Sequence, residues 1–255
     1  MLIELNMKKL VIIPTYNEKE NIEAIIAAVF GLPEPFHILV IDDGSPDGTA
    51  AIVKRLIGEQ TTERLFIVER QGKLGLGTAY IAGFKWAIAH AYDYIFEMDA
   101  DFSHNPNDLV KLYQALATDG ADVAIGSRYV TGVNVVNWPM GRVLMSYFAS
   151  KYVRTVLGID VHDTTAGFVG YKREVLETIE LDKIRFKGYA FQIEMKFTAI
   201  QCGFTIKEVP IIFVNRVLGT SKMSGGIFSE ALLGVIRLKV SSWFRKYPKK
   251  GESER

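Results

Sequence analysis

Short apolar runs alternate with amphipathic stretches through the first half of the chain. Lys9 to Ile13, His37 to Ile41, Leu65 to Glu69, Tyr94 to Met98 and Val123 to Gly126 are dominated by aliphatic and aromatic residues. Runs of that length, with no polar alternation, read as strands buried on both faces. Between them, Asn21–Phe30, Thr49–Ile57, Ala79–Ala91 and Leu109–Thr118 carry apolar residues at helical spacing, and Gly31-Leu32-Pro33 stops the first of these. Strand and helix alternating through five units predict an α/β fold with a mostly parallel sheet and right-handed crossovers. After Arg128 the alternation loosens. Thr131 to Pro139 reads as a loop, Gly141–Leu157 as a helix, and His162 to Gly170 as a loop leading into a strand. Lys172–Ile179 and Tyr189–Cys202 follow as helices. Thr205 to Pro210 and Ile211 to Asn215 are extended, and Arg216 to Gly226 is a basic loop with glycines. Ile227–Phe244 is a long amphipathic helix, and the charged tail Arg245–Arg255 is expected to fray. One domain of about 1–240 accounts for the pattern.

In such sheets ligands gather at the carboxyl ends of the strands. Those ends carry Tyr16 and Glu18, Asp42 and Asp43, Asp99 and Asp101, and Ser127 and Arg128. Asp99-Ala100-Asp101 places two hard oxygen donors one residue apart, a set suited to Mg²⁺ or Mn²⁺. An isolated pair of this kind reads as well as a polar turn that caps the next helix. Four polar strand ends at one edge favour the metal site. Asp43 is suited to accept hydrogen bonds from a ligand's hydroxyl or ring N–H groups, while Asp47 shapes the Gly44–Thr49 turn. Tyr16 offers a stacking surface, and Glu18 is either a ligand contact or a solvated first-turn acid. Gln71-Gly72-Lys73-Leu74-Gly75-Leu76-Gly77 matches neither the Walker pattern nor G-x-G-x-x-G, and reads as a tight turn that permits close approach. Arg128, Arg142, Arg216 and Lys222 are the cations fitted to phosphate oxygens, the last two in a loop able to close over substrate.

Composition narrows the class. The chain has 255 residues, about half of them apolar, so it can build a large core. A net charge of +1 argues against a broadly basic nucleic-acid binder. The single cysteine, Cys202, allows no internal disulfide, which fits a reducing compartment. The four histidines show no metal-ligand spacing. Residues 1–10 are too short and weakly apolar for a signal peptide, and no run reaches the roughly 20 apolar residues of a bilayer span. The expectation is a protein that is soluble or attached to a membrane surface.

Pro14-Thr15-Tyr16-Asn17-Glu18, Asp42-Asp43-Gly44-Ser45-Pro46-Asp47-Gly48-Thr49, Asp99-Ala100-Asp101 and Gly126-Ser127-Arg128-Tyr129 together resemble the inverting family 2 glycosyltransferases of GT-A fold. Phe186 to Met195, Val209 to Arg216 and Gly219 to Lys222 are similar to the polyprenol (dolichol) phosphate mannose synthases, in the short form without transmembrane helices. The resemblance covers roughly residues 8–240. It implies a nucleotide half at about 8–130, an acceptor half at about 131–226 and an amphipathic helix at about 227–244.

The resemblance implies transfer of mannose from GDP-mannose to a polyprenyl monophosphate with a divalent metal, Mg²⁺ or Mn²⁺. Pro14, Tyr16, Glu18, Ile41 and Asp43 would hold the nucleotide. Asp99, Ala100 and Asp101 would form the metal and sugar-nucleotide site. Relatives often place a Gln two residues past the second Asp, and here Ser103 stands there as the third ligand. Arg128, Arg142, Lys187, Arg216, Ser221 and Lys222 match phosphate-contacting positions, with Arg128 and Arg216 nearest the chemistry. Relatives that glycosylate alcohols usually carry an acidic base near the start of the late helix, where this chain reads Tyr189-Ala190-Phe191-Gln192. A monophosphate, with a second pKa of about 6, is already an anion and needs orientation rather than deprotonation. The missing acid and the surplus of cations therefore point to the same acceptor, with Glu194 left as an orienting group. A UDP-sugar donor and a non-lipid acceptor are the alternatives. Trp243, Phe244 and Tyr247 beside lysines suit an interfacial helix on the cytoplasmic face of a membrane. The same helix suits docking on a membrane-protein partner or packing on the sheet, and Gly141–Leu157 is a second candidate.

Overall fold

The computed structural model describes residues 7–59, 63–188, 190–215 and 226–252, without the side chains of 226–231. In chain order the elements are β1 (Lys9–Thr15), α1 (Ile22–Phe30), β2 (Phe36–Asp42), α2 (Thr49–Glu59), β3 (Leu65–Glu69), α3 (Leu76–Ala89), β4 (Tyr94–Glu97), α4 (Asp108–Ala117) and β5 (Val123–Ser127). The second half adds β6 (Val135–Val136), α5 (Met140–Leu157), β7 (Val169–Lys172), α6 (Arg173–Thr178), α7 (Ala190–Gln201), β8 (Ile206–Pro210), β9 (Phe213–Val214) and α8 (Gly226–Ser242).

The main sheet runs β3-β2-β1-β4-β7-β5-β8. Neighbours are parallel except β7, which is antiparallel to both β4 and β5. The strand expected after His162 thus inserts between two strands that local alternation would have made neighbours. Gly170 permits this, because a Cβ there would sit 2.7 Å from the Phe96 ring. The expected loop Thr131 to Pro139 also holds β6, which pairs with β9 in a small second sheet.

Period-two alternation divides the core into two layers. Leu10, Ile12, Leu39 and Ile41 face α3 and α7, packing with Tyr80, Phe84, Phe191 and Met195. Val11, Ile13, Ile38 and Val40 face α1 and α4, packing with Ile22, Ile25, Leu109 and Leu112. A third cluster joins α5, α7 and α8 through Val153, Leu157, Ile193, Phe197, Val235 and Leu238. The outer helices α5 and α8 therefore pack on each other, and α8 on α7, rather than on the sheet.

The charged tail departs from its expectation of fraying through residue 250. The Lys250 N–H donates to the Cys202 carbonyl at 2.9 Å, and its ammonium donates to both Asp122 oxygens at 2.8 Å. Tyr247 packs against the first core cluster. Long-range partners, absent from the local composition, hold this segment.

Candidate active site

Strand order reverses at β1, whose neighbours β2 and β4 lead away on opposite sides. Ligands in open α/β sheets bind in the crevice outside such a switch point. Here the crevice is walled by the segments after β1, β2 and β4, which carry Tyr16 and Glu18, Asp43, and Asp99 and Asp101.

On the β2 side, the Asp42 carboxylate accepts from the Thr15 hydroxyl at 2.9 Å, the Ser45 N–H at 2.9 Å and the Ser45 hydroxyl at 2.6 Å. Asp42 is therefore turn structure. So is Asp47, which accepts from the Thr49 N–H and hydroxyl at 3.0 and 2.6 Å and from the Lys19 N–H at 3.1 Å. Burial pushes its carboxyl up, but these hydrogen bonds and the Lys19 charge together outweigh it and hold it low. Asp43 accepts from Arg70 Nε at 2.7 Å and the Leu74 N–H at 3.3 Å, which fixes the glycine-rich loop against β2. Sequence reasoning missed Arg70, whose only signal was its place at the end of β3. Glu18 accepts from Asn21 Nδ2 at 3.1 Å, and the half-buried Tyr16 ring lies 5.3 Å from the Lys73 ammonium. Pro14 is half-buried at the strand end, whereas the Ile41 side chain lies wholly in the core beneath. The inward pleat of β2 directs the Ile41 side chain away from the crevice, which leaves its backbone for any ligand contact.

The glycine loop approaches the segment before α7 closely. The Gly77 N–H donates to the Lys187 carbonyl at 2.8 Å, and a Cβ on Gly77 would sit 2.8 Å from the Phe191 ring. Lys187 itself is exposed. Its segment is further held by Glu194, whose buried carboxylate accepts from the Arg185 and Phe186 N–H groups at 2.8 and 2.9 Å.

On the β4 side, Asp99 is half-buried and Ala100, Asp101 and Ser103 are buried. Asp101 Oδ1 accepts from the Ser103 N–H at 3.0 Å, and the Ser103 carbonyl accepts from the Val214 N–H at 3.1 Å. The loop is therefore pinned between β4 and β9. Phe102 holds φ of +58° within it. Among the described residues no cluster of three or more His, Cys, Asp or Glu side chains forms a metal site by itself. The two carboxylates and the Ser103 hydroxyl are nonetheless hard oxygen donors of the kind that could hold a divalent cation. Next to this loop His104 is fully buried, stacked on Phe168 at 4.9 Å between ring centroids. Burial pushes its pKa down to about 4, so it is neutral at physiological pH.

Arg128, which the sequence places at a phosphate-contacting position, is engaged with Asp163. Its Nε and Nη2 donate to Asp163 at 2.6 and 2.5 Å, its N–H donates to the same carboxylate at 3.0 Å, and Nη2 also meets the Thr165 hydroxyl at 2.9 Å. Burial pushes the Asp163 carboxyl up, but the Arg128 charge and hydrogen bonds outweigh it and hold the carboxyl below the usual range. Arg142, by contrast, stacks 4.0 Å over Trp138 and donates from Nη1 to Asn215 Oδ1 at 3.1 Å. Trp138 and Asn215 were not legible as site residues, because their role depends on the β6–β9 pairing. Arg216, Ser221 and Lys222 lie outside the described residues.

At the start of α7 the structure bears on the missing base. Gln192 and Glu194 are each 2% exposed and both are engaged inward, Gln192 on Glu97 and Glu194 on the 185–186 backbone. Burial pushes the Glu97 carboxyl up and the neighbouring Lys196 ammonium down.

A nucleotide-type crevice at a switch point, with paired carboxylates on one lip and arginines beyond, defines a sugar-nucleotide-dependent transferase. The chain belongs to glycosyl transferase family 2, whose model matches residues 10–180. It is 48% identical over 236 residues to the polyprenol monophosphomannose synthase of Mycolicibacterium smegmatis, covering 92% of this chain and 86% of that one. It is 45% identical over 231 residues to the undecaprenyl-phosphate mannosyltransferase of Micrococcus luteus, covering 91% and 93%. Among solved structures it is similar to the mannosyltransferase PcManGT of Pyrobaculum calidifontis in complex with GDP-Man and Mn²⁺, with a TM-score of 0.60 at 20% identity, covering 94% of this chain and 66% of that one. The family and the GT-A fold expected from the motifs are borne out.

Proposed function

We propose that this enzyme transfers mannose from GDP-mannose to a polyprenyl monophosphate with inversion, giving polyprenyl β-D-mannosyl phosphate and GDP. The observation that carries the reading is the inward engagement of Gln192 and Glu194 opposite the Asp99/Asp101 lip. No acid on the described start of α7 is left to deprotonate an alcohol, and a phosphate anion needs none. The names of the two relatives support the lipid phosphate and the mannosyl group, and the GDP-Man complex of the structural neighbour supports the donor.

In this reading a phosphate oxygen of the acceptor attacks the anomeric carbon as the bond to the diphosphate breaks. The electron pair leaves with GDP. Asp99, Asp101 and Ser103 would hold Mg²⁺ or Mn²⁺, which neutralises charge on the leaving diphosphate when bound. Tyr16, Glu18 and Asp43 line the nucleotide side. Arg142 and Lys187, with Arg216, Ser221 and Lys222, orient the acceptor phosphate. Arg128 serves as the fixed end of the cleft wall through Asp163.

The decisive assay mixes the enzyme with lipid phosphate, Mg²⁺ or Mn²⁺ and one labelled donor at a time. GDP-mannose is expected to give labelled lipid, and UDP-glucose and UDP-GlcNAc none. Transfer from a UDP-sugar alone would reject the mannose assignment.

Among the described residues no helix is long and apolar enough to cross a membrane. The outer faces of α5 and α8 are nevertheless apolar. Met140, Leu144 and Phe148 stand exposed at helical spacing on one, and Leu233, Ile236 and Val240 on the other, with Trp243 and Phe244 exposed in the turn that follows α8. Residues 140–157 and 232–250 contain nine Lys and Arg and no Asp or Glu. This combination supports peripheral attachment to an anionic, cytoplasmic membrane face, where the lipid acceptor lies. Trp243 and Phe244 are 69% and 83% exposed, so replacing both by serine spares the core. Binding to phosphatidylglycerol-containing vesicles is expected to weaken by about tenfold or more, given roughly 1–3 kcal/mol for each apolar side chain withdrawn from lipid. The melting temperature stays close to wild type. Undiminished sedimentation with vesicles would defeat the attachment surface.

A further inference from the structure

Beneath the strand ends lies a polar cluster that the reaction as described does not use. Lys196, in the middle of α7, is 0% exposed. Its ammonium donates to the Ala166 carbonyl at 2.7 Å and to the Gln192 carbonyl and Oε1, each at 3.3 Å. The Gln192 amide in turn donates to Glu97, the last residue of β4 and two positions before Asp99. Ala166 lies three residues beyond Asp163, the carboxylate that grips Arg128. The charges that face Lys196 are Glu97, Asp163 and Glu208, which favour the ammonium, and Arg128, which opposes it.

Burying an ammonium costs free energy even when it is paired, and an apolar side chain of similar length is often as stable in such a place. Packing therefore does not explain a lysine here. Its hydrogen bonds have a geometric consequence instead. Through one amide it holds the strand that presents Asp99 and Asp101, and directly it holds the loop whose Asp163 grips Arg128. Its own helix continues from the Phe186–Lys187 segment that docks on Gly77. Three walls of one cleft meet at a single side chain.

We propose that Lys196, acting through Gln192 and Glu97 on one side and Ala166 on the other, is a positioning residue that fixes the donor-side carboxylates relative to the acceptor side of the cleft. The consequence for the reaction rests on the glycosyl-transfer reading above. The geometric part does not.

The test uses the full-length enzyme and two variants. Lys196→Met/Glu97→Gln removes both buried charges together and leaves no unpaired ion, so it is expected to melt within a few degrees of wild type. Its kcat with lipid phosphate is expected to fall about 30-fold or more, as misplacement of reacting groups does, while KM for GDP-mannose changes less than about threefold. Amide hydrogen exchange at residues 98–103 and 163–168 is expected to quicken at least about tenfold, with β2 and β3 unchanged. Gln192→Leu keeps Lys196 on Ala166 and removes the amide that joins Lys196 to Glu97, so its quickened exchange is expected at 98–103 alone. Wild-type exchange in both variants, or acceleration spread evenly over the sheet, overturns the proposal. If the wild-type enzyme transfers no sugar, the function reading fails while the exchange pattern still decides the positioning role.

Discussion

Asp101→Asn is expected to reduce transfer by roughly 100- to 1,000-fold, the range seen when a preorganised group that stabilises transition-state charge is lost. The substitution is nearly isosteric. Asn keeps an oxygen at the position where Asp101 Oδ1 accepts the Ser103 N–H, so the loop between β4 and β9 retains its shape. What disappears is one negative charge at the lip of the crevice. A hard divalent cation gains much of its affinity from such charges, so Mn²⁺ binding measured by calorimetry in the presence of GDP should weaken in parallel. Chelator-treated wild type is expected to lose activity and regain it with Mn²⁺, whereas the variant regains little. Thermal unfolding without metal should not separate the two proteins. Full activity in Asp101→Asn would remove the paired carboxylates from the mechanism.

The second large effect concerns stability. Arg128→Met deletes one partner of a buried, bidentate ion pair whose side chains are 10% and 0% exposed. The cost of stranding the other charge is about 3–5 kcal/mol. For a chain of this size that corresponds to a fall in melting temperature of roughly 6–20 °C. The pH dependence distinguishes this mechanism from lost packing. In the wild type, the Asp163 carboxyl is held below its ordinary value despite burial, because Arg128 outweighs desolvation. That contribution is present above the unfolded pKa of about 3.9 and is lost as pH falls through the lower folded value. In Arg128→Met burial is opposed only by the residue-128 N–H and the Lys196 charge, and the folded pKa is expected to rise above the unfolded one. The folded state then binds the extra proton, and the variant gains stability as pH is lowered toward the unfolded pKa. Adding Asp163→Asn to Arg128→Met should recover much of the loss and flatten the pH dependence. A variant that melts like wild type, or that is destabilised equally at pH 5 and pH 8, would show that the pair does not carry this energy.

These two residues differ in how far the sequence reveals them. Asp99 and Asp101 announce themselves: an apolar run ends abruptly in two acids, and the chain turns after them. The signal is local and survives any arrangement of neighbours. Arg128 is equally visible as a cation at a strand end, but its partner is 35 residues away in a loop with no distinctive spacing. The same holds for Asp43. Its position after β2 marked it as a ligand group, while its engagement with Arg70 follows from the β2–β3 pairing. The tail beyond Arg245 reads as frayed by composition alone, because nothing nearby shows that Asp122 waits for Lys250.

The sequence by itself determined the alternation of strands and helices, the edge of the sheet on which polar residues collect, the paired carboxylates and the absence of an acid at Gln192. Each of these depends on side-chain periodicity or on residue type at one position, and both are properties of a short stretch. Only the tertiary structure decided the antiparallel entry of β7 between β4 and β5, the inward turn of Ile41, the capture of Arg128 by Asp163 and the convergence of three cleft walls on Lys196. Those features arise from pairings between residues far apart in the chain. Such pairings are selected by burial and by the need to satisfy every buried polar group at once, a condition that no local window of sequence contains.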